Sequence, residues 1–286
     1  TAMITPFSVD GSLDLDGAAT LAQWLVEQGN DGLVVAGTTG ESPTLTHDEQ
    51  INLVSAVVDA VEVPVIAGAG SNDTDAAVEL TRRCTDAGAA GILTVTPYYN
   101  RPSQAGLVIH FSAVAEATDL PVMLYDIPLR SGRKIETTTI LRLADEVDNI
   151  VAVKDAAGDL GETARLAAAA PEGFEIYSGD DALTLALLAV GAVGTVSVAS
   201  HWTTPETVAL MAAFFSGDLV GAREANRQML ASYAFESGDA APNPVPTKAM
   251  MRMLGLPGGA CRPPMGPEPD GLADRAREIL MGLGRS

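Results

Sequence analysis

Short β-branched and aliphatic runs alternate along the chain with longer stretches whose apolar positions recur every three or four residues. The runs fall at 2–7, 32–37, 63–68, 91–96, 121–125, 150–154, 175–178 and 193–198, and each predicts a strand. Helical periodicity fills the gaps at 16–28, 46–60, 73–87, 104–118, 137–146, 160–169 and 181–189. Asp16, Thr46 and Asp73 are the expected N-caps, and Gly29, Gly88 and Gly191 the expected stops. Strictly alternating strand–helix units predict a parallel sheet, because parallel strands need crossover helices. Eight units predict α/β architecture closed as a (β/α)8 TIM barrel. An open doubly wound sheet is the competitor, but a G-x-G-x-x-G turn after the first strand is missing. After the last strand the pattern becomes helical at 203–215, 218–236, 245–254 and 268–282, broken at Ala241–Pro246 and Pro257–Pro269. The expected organisation is a barrel domain over 1–215 and a helical carboxy-terminal extension over 216–286, partly an assembly surface.

Composition narrows the classes. Hydrophobic residues make up 47% of the 286, enough for a substantial core, and no apolar stretch reaches the length of a membrane span. The formal net charge of −20 argues against nucleic-acid or anionic-membrane partners, which need clustered Lys and Arg. It leaves small anionic substrates open, since these respond to a local pocket. Cys84 and Cys261 form no framework, and with His47, His110 and His201 far apart in sequence no metal site is expected. With no cysteine framework, and an amino end that opens on a strand pattern without a basic leader, a reducing cytoplasm is the expected location, and a secreted chain with its leader removed is the alternative.

Against this lysine-poor background one position stands out. The chain has only Lys134, Lys154 and Lys248, and Lys154 ends the apolar run of Asn149-Ile-Val-Ala-Val-Lys-Asp155. A strand of a parallel α/β sheet is usually buried on both faces, where an ammonium is costly unless paired or discharged. The uncharged amine is the form that serves as a Schiff-base nucleophile. The competing explanation is a lysine that snorkels to solvent or pairs with Asp155 or Asp159.

The other strand ends are also polar. Strand two runs into Gly37-Thr-Thr-Gly-Glu-Ser42, strand four into Thr96-Pro-Tyr-Tyr-Asn-Arg101, strand five into Tyr125-Asp-Ile-Pro-Leu-Arg-Ser-Gly132, and strand seven into Ser178-Gly-Asp-Asp181. Each alone reads as an ordinary turn or cap. Together they occupy one rim, and in a barrel that rim carries the chemistry.

These segments, with Val153-Lys-Asp155 and Asn243-Pro-Val-Pro246, resemble in order and end to end the dihydrodipicolinate synthase family of pyruvate-dependent class I aldolases, which is related to N-acetylneuraminate lyase. The resemblance implies that Lys154 forms an imine with pyruvate and that the derived enamine adds to aspartate semialdehyde, with no cofactor. It implies a proton relay of Tyr125, Thr38 and Tyr99, with Tyr99 reaching into a neighbouring subunit. The amides of Thr38 and Thr39 would hold pyruvate's carboxylate, Arg130 the semialdehyde's carboxylate, and Gly179 and Val196 would line the pocket. A homotetramer is the family expectation, and a dimer the alternative.

Arg130 and the Thr38–Thr39 pair favour the synthase over a sugar-acid aldolase or lyase, and a catalytically silent metabolite-binding barrel is the remaining alternative. Asp126, Asp155, Thr247 and Leu129 depart from common family residues without removing a group that the chemistry needs. His47, Asn72 and Tyr98 match the family's allosteric lysine pocket, but Gln50 and Ala76 replace a His and a Glu found in lysine-sensitive members. Losing the acid that would face the effector's ammonium predicts weak or absent lysine inhibition.

Overall fold

The computed structural model describes residues 1–285. The chain forms two compact units, Val65–Val196 and the pair of segments Thr1–Pro64 and Ser197–Ser286.

The Val65–Val196 unit is a parallel sheet wrapped by its own crossover helices. Its strands are β2 (Val65–Gly68), β3 (Gly91–Val95), β4 (Val122–Asp126), β5 (Ile150–Asp155), β6 (Glu175–Ser178) and β7 (Gly194–Thr195), following β1 (Leu33–Val35) of the other unit. Within the unit each strand pairs in parallel with the next in chain order. The residues of β3, β4 and β5 are mostly buried, as expected of strands covered on both faces. The connections are α3 (Thr74–Asp86), α4 (Gln104–Ala115), the one-turn α5 (Pro128–Ser131), α6 (Thr137–Glu146), α7 (Leu160–Ala169) and α8 (Thr184–Ala189). Leu107, Phe111 and Val114 show why α4 packs: three residues at helical spacing are fully buried.

The other unit contains β1, α1 (Leu15–Glu27), α2 (His47–Ala60), α9 (Ser200–Phe215), α10 (Leu219–Phe235), α11 (Val245–Met253) and α12 (Leu272–Gly282). Trp202 of α9 anchors it, buried edge-on to Phe235 of α10 and donating from its indole nitrogen to Ser232 at 2.9 Å. Thr46 and Glu49 close a reciprocal capping box at the start of α2, and Asp73 caps α3. Gly29, Gly88 and Gly191 end their helices at positive φ.

Besides shorter elements, such as β7 at two of the six residues expected over 193–198, the sequence reading departs from the structure at three places. Residues 2–7 form no strand. Ala2 N–H donates to Ser197 O (2.8 Å) and Met3 N–H to Val34 O (2.9 Å), but the ladder stops there. Ile4 N–H donates instead to His201 Nε2 at 3.0 Å, and Pro6 has no N–H to give. The α1 cap is Asp14 rather than Asp16, because the Asp14 carboxylate accepts from Gly17 N–H at 2.8 Å. The short α5 escapes periodicity altogether, since four residues make only one turn. Seven strands and twelve helices are therefore formed among the described residues, an α/β fold.

Candidate active site

Register brings the two most informative side chains together. Tyr125 on β4 is the pairing partner of Lys154 on β5, and partners in adjacent parallel strands share a face. The Lys154 amine lies 4.4 Å from the centre of the Tyr125 ring. Both residues are buried, Lys154 to 4% exposure and Tyr125 to 5%.

The proposed salt bridge for Lys154 does not form. Asp155 Oδ1 accepts from Ala157 N–H (2.9 Å) and Oδ2 from the Thr163 hydroxyl (2.6 Å), while Asp159 caps α7 through Glu162 N–H (3.0 Å). Lys134 pairs with Asp126 at 2.8 Å, and Lys248 with Glu41 at 2.5 Å. Lys154 alone among the three lysines has neither a hydrogen bond nor a carboxylate partner among the described residues. A buried lysine without a counter-ion is poorly explained by stability, because burial of an amine that gains no partner opposes folding.

The neighbouring strand end is shaped around this side chain. A Cβ added at Gly179, which follows β6, would lie 2.9 Å from Lys154 Cγ and 3.0 Å from Lys154 Cε and Ala156 Cβ. Gly179 N–H donates to Asp155 O at 2.7 Å, so its backbone cannot retreat without breaking that bond. Val196 is buried, and its N–H donates to Ser178 O at 2.8 Å.

Asp126 fixes the outgoing segment of β4. Its oxygens accept from Lys134 Nζ and, at 3.0 Å, from Ile135 N–H. Burial pushes the Asp126 carboxyl above the ordinary carboxylate range, and the Lys134 ammonium opposes that shift. Between these anchors α5 presents Arg130, exposed and with no carboxylate partner among the described residues.

Tyr99 projects from a strained loop. It is 91% exposed with φ +73°, and Arg101 has φ +48°. Left-handed backbone at two non-glycine residues costs energy that the surrounding structure must hold. Tyr99 N–H donates to Ser131 O (3.3 Å), and Asn100 Nδ2 to Asn72 O (2.7 Å). Tyr98 and Asn72 are half-buried.

In the other unit, Thr38 and Thr39 sit in a tight turn after β1. Thr39 is buried and its hydroxyl accepts from Asn243 Nδ2 at 2.9 Å. His47 opens α2 and is half-buried. Gln50 of the same helix is buried and donates to Ser42 O at 3.1 Å, a tie back to the loop that precedes the helix.

Sequence reasoning assigned no role to Glu41, Asn243 or Lys248. Their links to the turn span some two hundred residues, 204 between Thr39 and Asn243, and no spacing rule reaches that far. The one available signal was Lys248 itself, one of only three lysines.

Residues 1–281 match the Dihydrodipicolinate synthetase family. The chain belongs to that family. It is 51% identical to a 4-hydroxy-tetrahydrodipicolinate synthase of Moorella thermoacetica, over 93% of this chain and 90% of the relative. It is 50% identical to the enzyme of that name from Acidothermus cellulolyticus, over 99% and 91%. Among solved structures, the lysine-bound dihydrodipicolinate synthase of Cyanidioschyzon merolae superposes with a TM-score of 0.96 at 42% identity, covering 99% of this chain and 96% of that one. A buried lysine at a strand end, unpaired among the described residues, is thus found in a chain whose relatives at 50–51% identity are named 4-hydroxy-tetrahydrodipicolinate synthase.

Proposed function

We propose that this protein condenses pyruvate with L-aspartate 4-semialdehyde to give 4-hydroxy-tetrahydrodipicolinate, the first committed step towards diaminopimelate and lysine. The observation that carries the reading is the Lys154 amine, buried without a counter-ion and packed over Tyr125. Its nitrogen attacks the ketone carbon of pyruvate, and loss of water leaves an imine. Removal of a methyl proton gives an enamine, because the cationic nitrogen accepts the electron pair. The enamine carbon adds to the aldehyde of the second substrate. That substrate's own amine then attacks the imine carbon and releases Lys154 as the ring closes.

Tyr125 moves the protons of imine formation and ring closure, linked by Thr38 to Tyr99. A phenol titrates far above neutrality in water, so a hydroxyl relay is the means by which it would act near pH 7. The amides of Thr38 and Thr39 hold pyruvate's carboxylate, and Gly179 and Val196 line the lysine pocket. The exposed Arg130, unpaired among the described residues, takes the carboxylate of the semialdehyde, where a planar fork gives two parallel bonds. The exposed Tyr99 on its strained loop supports a homo-oligomer, for which we favour a tetramer. The same reading closes the strands as a (β/α)8 barrel over 1–215 followed by the extension 216–286, and the bonds of Ala2 and Met3 to Ser197 and Val34 support that closure. We place the reaction in the cytoplasm. No helix among the described residues is long and apolar enough to cross a membrane.

A coupled assay with aspartate semialdehyde set against N-acetylneuraminate tests the reading, with turnover of the first alone expected. Arg130→Ala should leave pyruvate-imine formation intact and lower kcat/KM for the semialdehyde by about a hundredfold, the scale of one lost charge-assisted bidentate contact. Equal loss in both steps would contradict the assignment. Lysine should bind weakly or not at all in calorimetry, since Ala76 offers no acid to its ammonium. A tight lysine isotherm would overturn that expectation.

A further inference from the structure

The turn Gly37-Thr-Thr-Gly-Glu41 is bounded by two residues in left-handed conformation that are not glycine, Ala36 at φ +55° and Glu41 at φ +57°. Such residues persist only where surrounding contacts over-determine them. At Gly40 a Cβ would meet Ala36 Cα at 3.1 Å and Met3 O at 3.2 Å, so the chain folds tightly back on itself here. The strain has an anchor at its carboxy end. Glu41 is only 3% exposed, and its carboxylate pairs with Lys248 Nζ at 2.5 Å and accepts from Arg262 N–H at 2.9 Å.

Lys248, on α11, is fully committed to holding this carboxylate. Besides this ion pair, its ammonium donates to Ala260 O at 3.1 Å and faces the Phe7 ring at 4.1 Å. A second tie comes from just before the same helix. Asn243 Nδ2 donates to the Thr39 hydroxyl, while Asn243 Oδ1 accepts from Thr247 Oγ1 at 3.5 Å and so sets which way the amide points. With its oxygen accepting from Asn243, the Thr39 hydroxyl keeps its own hydrogen free to donate elsewhere.

We infer that the buried Glu41–Lys248 ion pair is a positioning device, through which helix α11 holds the Thr38–Thr39 turn in its anion-accepting shape. The inference rests on the proposed role of that turn in holding pyruvate's carboxylate. A buried ion pair is weak evidence of a stabilising role, because desolvation offsets much of its attraction, and its value here is geometric. Neither residue touches substrate. They act through backbone amides that must aim at one point before the substrate arrives.

The test compares trapping of pyruvate with trapping of its methyl ester, which has the same reactive ketone but no carboxylate. Borohydride reduction of the imine on Lys154 is followed by mass spectrometry at subsaturating ketone. The double variant Glu41→Gln/Lys248→Met removes both charges at nearly constant volume, and Glu41→Gln alone serves if the double variant does not fold. The wild-type preference for pyruvate over the ester is expected to fall about tenfold in either variant, whatever common slowing of both trapping rates the Thr38 relay adds. A merely structural role would lower both trapping rates in parallel and keep the ratio, which would overturn the inference. Absence of any pyruvate adduct in the wild type would instead overturn the proposed function, and this inference with it.

Discussion

Replacing Lys154 with Ala is expected to cut synthase activity by roughly a thousandfold or more while leaving a folded protein, because the covalent route is lost outright. The stability change should stay within about 2 kcal/mol. The lost aliphatic contacts destabilise, but the variant also removes a buried amine that has no partner. This near-neutral stability separates Lys154 from the other two lysines. Lys248→Ala would leave Glu41 buried against an empty space and should cost about 3–5 kcal/mol. Urea unfolding of the Lys154 variant, run beside a coupled turnover assay, checks both halves. Retained activity, or stability lost on the scale expected for Lys248→Ala, would mean that the lysine is a structural element.

Gly179→Val should be the next most damaging single change. Even the first added carbon would fall 2.9–3.0 Å from Lys154 Cγ, Lys154 Cε and Ala156 Cβ. The backbone there is tied to Asp155 O, so the flexible lysine stem is what must yield. Displacing a nucleophile by about 1 Å costs about a hundredfold in rate. Gly179→Ala should show a milder loss of about tenfold on the same ground. Overpacking of this kind destabilises by about 1–3 kcal/mol, so circular dichroism should still report the native fold. Imine trapping and turnover should fall together. A Gly179→Val enzyme with wild-type kcat would show that the lysine works from another position.

How much of this was legible in the sequence depends on how local each feature is. The helices from α1 to α12, apart from α5, were read within a few residues because their apolar spacing is a property of the segment itself. Strands β3 to β6 were equally plain as β-branched runs between turn residues. Residues 2–7 look identical in pattern, yet a side chain 197 positions away takes the Ile4 amide that a strand would have used. The same contrast holds at the site. Lys154 at the end of an apolar run was conspicuous in one dimension. That Asp155 and Asp159 are both engaged elsewhere, leaving the amine without a counter-ion, needed the packing of α7 against β5. Likewise Gly179 could be matched to a motif, but its clearance around the lysine stem is a contact between two strands' ends. Motif reading located the groups, and only three dimensions gave their reasons.

The most direct trial of the account is to incubate the protein with pyruvate, reduce with borohydride, digest, and weigh the peptides. One reduced pyruvyl unit should appear on the peptide carrying Lys154, with Lys134 and Lys248 unmodified. An adduct confined to another lysine, or none at all on a folded protein, would contradict the proposal that this buried amine is the nucleophile.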